Sequence, residues 1–461
     1  MKTVSLALRN LLRNRRRSFT TLLALVIGIC SILLFGGFSR YITYGLQTGF
    51  VRQSGHLQIQ RENYFLYGNG NPAAYGISGY RQLIATIKQD PVLKPLVRVV
   101  TPTLQVSGIA GNFSAGASRT VAGRGVVVDE QNSMRLWNDY DMPAKAPQLA
   151  LTHTGEDAAV IGTGVARVLQ LCGPLKVDNC PQFTVETVSG ASAPDDVLAL
   201  SALEKADAPR PGDTHIELLT ASLGGAPNVA RLAVVKTEVQ GVKEVDDTYV
   251  ALHLTQAQRL VYGNGEPQVT AVLVQLHHGR DMNAARARLE QLIAAGPGKQ
   301  RFEIHDYATL NPFYGQSIAM FDAILGFISL LIGAIVLFTI GNTMSMAVAE
   351  RTVEIGTLRA MGLRRSGIRR LFITEGLLLG GVGAVLGVLI ALVLAYAVNQ
   401  SGITWNAPGR VEPILLLVRV WDDKRLIAVA GLGLMLVASL SAFWPAHRAS
   451  GMNIVDALRH V

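Results

Sequence analysis

The sequence predicts a membrane protein, with four transmembrane α-helices and a large mixed α+β periplasmic domain inserted between the first and second helices. Three observations carry that expectation. Of 461 residues, 49% are hydrophobic and 16% charged, and the mean hydropathy is positive, which is too apolar for a water-soluble chain of this length. Four apolar runs have about the ~20 residues that a helix needs to cross a ~30 Å hydrocarbon core. The stretch between the first two runs, 41–317, is too long for a connection and must fold.

The N-terminal stretch 1–18 carries Lys2, Arg9, Arg13, Arg15, Arg16 and Arg17 and no acidic residue, so it is expected on the cytoplasmic side. A secretion signal has a shorter apolar core of ~7–15 residues and a small-residue cleavage site. Here "GGFSRYITYG" follows instead, and Ile29 before Cys30 does not suit lipoprotein cleavage. The run 19–40 therefore reads as a retained first transmembrane helix. A basic arm against anionic lipid headgroups is compatible with this. The second, third and fourth spans are expected at 318–348, 371–398 and 425–445. The apolar segment 411–420 is too short to span and opens on Glu-Pro, so it reads as a strand or interfacial segment.

Arginine placement orients the spans. The segment 349–370 carries Arg351, Arg359, Arg364, Arg365, Arg369 and Arg370 and is expected inside. The loop 399–424 balances Arg410, Arg419 and Lys424 against Glu412, Asp422 and Asp423, as an outer loop can. The C-terminal 446–461 then returns to the cytoplasm and 41–317 lies outside. The net charge of +9 is concentrated at these inner segments, so it does not imply nucleic-acid binding.

Within 41–317, β-rich runs such as "RVVTPTLQVSGIAG" and "TAVLVQLHH" are broken by turn signals. "YRQLIATIKQ" and "DMNAARARLEQLIAAG" have helical patterning. The expected organisation is a core module, 46–130 and 226–315, with an inserted subdomain at 131–225. Cys172 and Cys180 flank "GPLKVDN"; a disulfide suits an oxidising compartment, with free thiols as the alternative. A metal site would need further ligands nearby. Cys30 is expected to be a small packing residue. No G-x-S-x-G, H-E-x-x-H, paired C-x-x-C or G-x-x-x-x-G-K-[ST] occurs, so no catalytic residue and no metal site is expected. His277 and His278 are adjacent and would point to opposite faces of a strand.

The inner segment "AERTVEIGTLRAMGLRRSGIRRLFITEG", 349–376, reads as a short helix continuing from the second span. Glu350 and Glu354 would stand one turn apart, a like-charge pair costing a few tenths of a kcal/mol, with Arg351 offering relief. Gly356 and Gly362 permit close approach or a turn. Composition leaves two readings of these polar groups, solvated or in contact with a cytoplasmic partner. Gly376-x-x-x-Gly380 and Gly383-x-x-x-Gly387 are helix-packing patterns. Asp322, at the outer end of the second span, reads as an interfacial residue, although intramembrane charge is a flag for function.

The pattern R-x-x-E-I-G-x-x-R-A-x-G, here Arg351, Glu354, Ile355, Gly356, Arg359, Ala360 and Gly362, resembles the signature of MacB/FtsX-type permeases of ABC transporters. Glu375 matches the acidic residue before that family's glycine-rich third span. "PAHRASGMNIVDALR" is similar to its closing motif, with Asn453 in place of a proline and Asp456 in place of a glutamate. The resemblance implies that Glu350, Arg351, Glu354, Ile355, Gly356, Arg359 and Gly362 belong to a coupling helix docked on a separate cytoplasmic ABC ATPase, present in two copies. ATP and Mg would sit on that partner, and no cofactor on this chain. It further implies a second permease subunit, in a homodimer or heterodimer, in the bacterial inner membrane. A periplasmic adaptor or lipoprotein chaperone could complete the assembly. The implied function is mechanotransmission to the periplasmic domain, for lipoprotein extraction or tripartite export of peptides or small molecules. The alternatives are a non-transporting regulator of a periplasmic cell-wall hydrolase and a membrane-anchored enzyme.

Overall fold

The computed structural model describes residues 6, 7, 9, 13, 15–68, 70–143, 146–178, 180, 213–295, 300–406 and 413–459. Two compact units form: a helical unit of Met1–Tyr44, Phe313–Trp405 and Ile414–Val461, and a sheet unit of Gly45–Pro312 and Asn406–Pro413.

The first long helix, α1, runs Arg15–Ser54 over 40 residues. At 1.5 Å per residue it measures ~60 Å, about twice a bilayer's hydrocarbon thickness. It therefore continues well past residue 40, and its last turns belong to the sheet unit. There follow β1 (Leu57–Arg61), α2 (Tyr80–Gln89), β2 (Val97–Asn112), β3 (Ala117–Val126), α3 (Val128–Arg135), β4 (Ala158–Ile161) and α4 (Thr163–Val168). After these come β5 (His215–Ala221), β6 (Pro227–Thr237), β7 (Tyr249–His253), α5 (Leu254–Tyr262), β8 (Ala271–Leu276), α6 (Met282–Ala295) and β9 (Phe302–Asp306).

All nine strands join one sheet in the order β3-β7-β4-β6-β5-β2-β8-β1-β9, and β3 also pairs with β2. That extra pairing closes a six-strand ring, β2-β3-β7-β4-β6-β5. The 16-residue β2 makes closure possible. Its first half pairs with β8 at Val97–Thr103, and its second half pairs with β3 and, at Gly108–Gly111, with β5. Among the described strands, only the pairs β3–β7 and β4–β6 are parallel. β8 is buried at every position, as a near-continuous Val/Leu run in mid-sheet should be. Tyr80 and Ile87 of α2 and Ala257 and Leu260 of α5 pack into the same core.

The described strands of 131–225 do not stand apart as the inserted subdomain expected from their composition. β4 lies between β6 and β7, and β5 between β6 and β2, so both strands are part of the main sheet; 181–212 fall outside the described residues. Cys172 and Cys180 are joined by a disulfide with a Cα–Cα distance of 6.3 Å.

In the helical unit, α7 (Pro312–Glu350), α8 (Thr352–Ala360), α9 (Arg365–Gln400), α10 (Lys424–Gly451) and α11 (Ile454–Arg459) follow. Among the described residues, α1, α7, α9 and α10 make 4 helices that are long and apolar enough to cross a membrane. The chain is a membrane protein. Glycine sets how closely α9 meets its neighbours. A Cβ on Gly376 or Gly380 would come within 2.7 or 2.8 Å of the Ala442 or Ala438 Cβ on α10, and one on Gly383 or Gly387 within 2.8 Å of Leu25 or Ile29 on α1. The two small-residue pairs thus serve two different helices, which is the use that such spacing has in lipid. Some large side chains point outward: Phe338 is 78% exposed and Trp444 81%.

Candidate coupling site

Residues 349–376 fold as a helical hairpin. α7 stops at Glu350, Arg351 leaves helical geometry at φ −108° and ψ 18°, and α8 begins at Thr352. Glu350 and Glu354 therefore lie on different helices, and the expected like-charge stack does not form. α8 ends in a Schellman turn: Leu363 N–H donates to the Leu358 carbonyl and Gly362 N–H to that of Arg359, each at 3.0 Å. Gly362 takes φ +93° there, a left-handed position that suits glycine.

Inward, α8 presents Ile355 and Gly356, both buried. Ile355 shares a core with Ile368 and Phe372 of α9. The charged residues of the motif bind within the chain. Arg351 Nη1 lies 3.2 Å from Glu375 Oε1, with side chains only 7% and 3% exposed. Arg351 thus pairs with Glu375 on α9. Glu354 instead accepts from Arg13 at 2.7 Å, in a pair that is half-exposed on both sides. Arg359 donates to the Met452 carbonyl, between α10 and α11, which ties the C-terminal motif to α8. The outward edge holds Val353, Thr357, Ala360, Met361 (71% exposed) and Leu363, beside exposed Arg364, Arg365 and Arg370. Glu350 is exposed as well.

These links explain what motif reading alone misses. Arg13 and Met452 lie far from residues 351–362 in sequence, and no periodicity connects them. Glu375 did carry a signal, because a lone carboxylate in an apolar run requires a partner. Asp322 is exposed and close enough to Arg40 for electrostatic interaction. Arg40 Nε donates to Asp423 Oδ2 at 2.9 Å, and Asp423 also caps α10 by accepting from Leu426 N–H. Burial raises the Asp423 carboxyl, but these hydrogen bonds outweigh it and hold the group below the usual carboxylate range.

In the sheet unit, an open cleft of about 430 Å³ is lined by Pro95, Arg98, Leu136, Trp137, Asn138, Asp139, His277 and His278. β8 ends at Leu276, so strand alternation no longer applies at the two histidines and both line this cleft. Asp139 accepts from His278 Nδ1 (2.7 Å) and from Gly279 N–H (3.0 Å). Beneath them His56 is fully buried. Its Nδ1 accepts from Leu276 N–H at 3.0 Å, which assigns the neutral ring, and burial pushes its pKa down to about 4 against a weaker upward pull from Asp139.

Residues 326–454 match the FtsX-like permease C-terminal family. Among similar proteins, an uncharacterized ABC transporter permease of Methanocaldococcus jannaschii is 28% identical over 222 residues, 46% of this chain and 51% of that one. The lipoprotein-releasing system transmembrane protein LolC of Neisseria meningitidis is 26% identical over 366 residues, 77% of each chain. The macrolide export ATP-binding/permease protein MacB of Hyphomonas neptunium is 31% identical over 186 residues, 40% of this chain and 28% of that one. The chain thus spans about half the length of the first of these relatives and under a third of the last. It is similar to ABC transporter permeases of the MacB/FtsX/LolC type.

Proposed function

We propose that this chain is the transmembrane subunit of an ABC transporter and passes the ATP-driven movement of a separate ATPase subunit to its sheet unit. The observation that carries the reading is α8. It is a short helix between the second and third spans, built into the bundle by Ile355, Arg351 and Arg359, with an apolar and basic edge left outward. Such an edge suits a protein partner with an apolar groove rimmed by acidic side chains. Arginine asymmetry supports a cytoplasmic side for α8 and both termini, in what we read as a bacterial inner membrane. Residues 57–306, which lie between the first and second spans in sequence, would then be periplasmic. Two copies of the ATPase and a second permease subunit complete the proposed machine.

Lipoprotein release is the favoured cargo reading, because the likeness to LolC runs along 77% of each chain whereas that to MacB covers 186 residues. The test is purification of the tagged chain from native membranes in mild detergent, with wild type beside Met361→Glu. An ATPase subunit should accompany wild type and drop about tenfold in the variant, the scale expected for burying a charge in an apolar contact. Wild type without any ATPase partner would overturn the proposal.

A further inference from the structure

We propose that the buried Arg351–Glu375 pair is the positioning device that fixes the angle of α8 against the third span. A push on α8 then moves α9 as a body instead of bending the hairpin. The inference rests on α8 being the ATPase-facing helix.

Arg351 stands at the joint itself. Its N–H donates to the Val348 carbonyl of α7 at 3.3 Å, and its own carbonyl accepts from Ile355 N–H of α8 at 2.9 Å. Its side chain reaches a third helix at Glu375, one residue before Gly376 brings α9 against Ala442 of α10. The pair thus ties together the end of the second span, the root of α8 and one of the places where the last two spans pack closely.

Stability does not account for it. Taking two charges out of water is unfavourable by several kcal/mol each, and apolar residues of similar volume often hold such a site equally well. An ion pair adds direction, because a charge-assisted hydrogen bond weakens steeply away from its preferred angle and distance whereas an apolar contact can slide. Not every link of α8 is of this kind. The Arg13–Glu354 pair is more than half exposed on each side and is screened by salt. The root of α8 is therefore held by a buried, directional pair, while its last turn is held by the Arg359 hydrogen bond to the Met452 carbonyl.

The experiment compares three variants of the full chain in lipid nanodiscs: Glu375→Gln, the exchanged pair Arg351→Glu with Glu375→Arg, and the apolar pair Arg351→Met with Glu375→Met. The first readout, hydrogen–deuterium exchange of residues 352–360, needs no partner. Glu375→Gln should speed that exchange about tenfold or more, and the exchanged pair should bring it back towards wild type. The second readout is ATP turnover by the complex co-purified from native membranes. The apolar pair should keep the wild-type melting temperature and the bound ATPase, yet lose about tenfold of the chain's stimulation of turnover. Undisturbed stimulation in the apolar pair would make the ion pair a packing element only and overturn the proposal. Unchanged exchange in Glu375→Gln would do the same; if that variant does not accumulate, the apolar pair decides. Absence of an ATPase even from wild type would sink the functional reading, while exchange in these variants would still judge the pair.

Discussion

The two units are built by opposite uses of side-chain size. In the sheet unit the core is large: Leu57, Ile59, Val272, Val274 and Leu276 are all fully buried, and removing such surface from water stabilises by roughly 25 cal/mol per Å². In the helical unit α10 turns the small residues Ala438, Ala442, Ala446 and Ala449 inward, against larger ones such as Leu25, Ile29 and Phe372, and bulky residues such as Phe338 and Trp444 face outward. Lipid chains are as apolar as leucine, so burying a large side chain between helices gains little, and close backbone approach does the work instead. The same twenty side chains thus obey two solvent rules within one chain.

Truncation is the sharpest way to break that contrast. Trp137→Ala removes a side chain that is 1% exposed and a hydrogen bond to the His277 carbonyl; the sheet unit should lose about 3–5 kcal/mol, read from urea unfolding of the full chain. Phe338→Ala on α7 should change stability by only about 0.5 kcal/mol. Equal losses in the two variants would end the comparison.

Acid should also separate the units. His56 titrates near 4 when folded, below its ordinary value of 6.5. The unfolded chain therefore binds the proton first as pH falls, and stability drops from about pH 6.5 down to pH 4, by on the order of 3 kcal/mol in all. Above pH 6.5 the ring is neutral in both states and has no effect. Chemical unfolding of the sheet unit at pH 7, 5.5 and 4 checks this, and a His56→Gln chain should show a shallower dependence.

Enlargement reverses the order of sensitivity. Gly380→Val must push Ala438 away and should destabilise the helical unit by about 1–3 kcal/mol, lowering its melting temperature in detergent. Gly431→Val, whose Cβ would meet nothing within 4 Å, is the control and should leave the melting curve in place. The smallest effect is expected for Arg13→Ala. The pair it removes is exposed, so stability should shift by less than about 1 kcal/mol, and less still in high salt.

Much of this contrast was legible in residue order. Charge-free runs and their flanking arginines marked the four spans, because a helix must satisfy its own backbone in lipid. The spacing of Gly376, Gly380, Gly383 and Gly387 marked the contact stripes. In the sheet unit, "YRQLIATIKQ" declared a helix that the structure places at the same residues. What failed were relations between distant segments. β4 is only four residues long, and nothing local says that it pairs with β6 and β7, so 131–225 looked like a separate subdomain. α1 continues to Ser54 because the sheet unit holds its end: Gln275 Nε2 donates to the Val51 carbonyl at 3.1 Å. The candidate site shows the same division. Its residue types were legible as a motif, but their inward pairing with Arg13, Glu375 and Met452 arises from tertiary packing.

Closure of the six-strand ring has a consequence for self-association. A sheet recruits foreign strands through unpaired edges, and among the described strands of the large sheet only β9 has a single neighbour. Among the described strands of that sheet, the one whole strand that stands as an edge is thus short, Phe302–Asp306. Three of its residues, Glu303, His305 and Asp306, carry ionisable groups that discourage an identical strand from lying alongside.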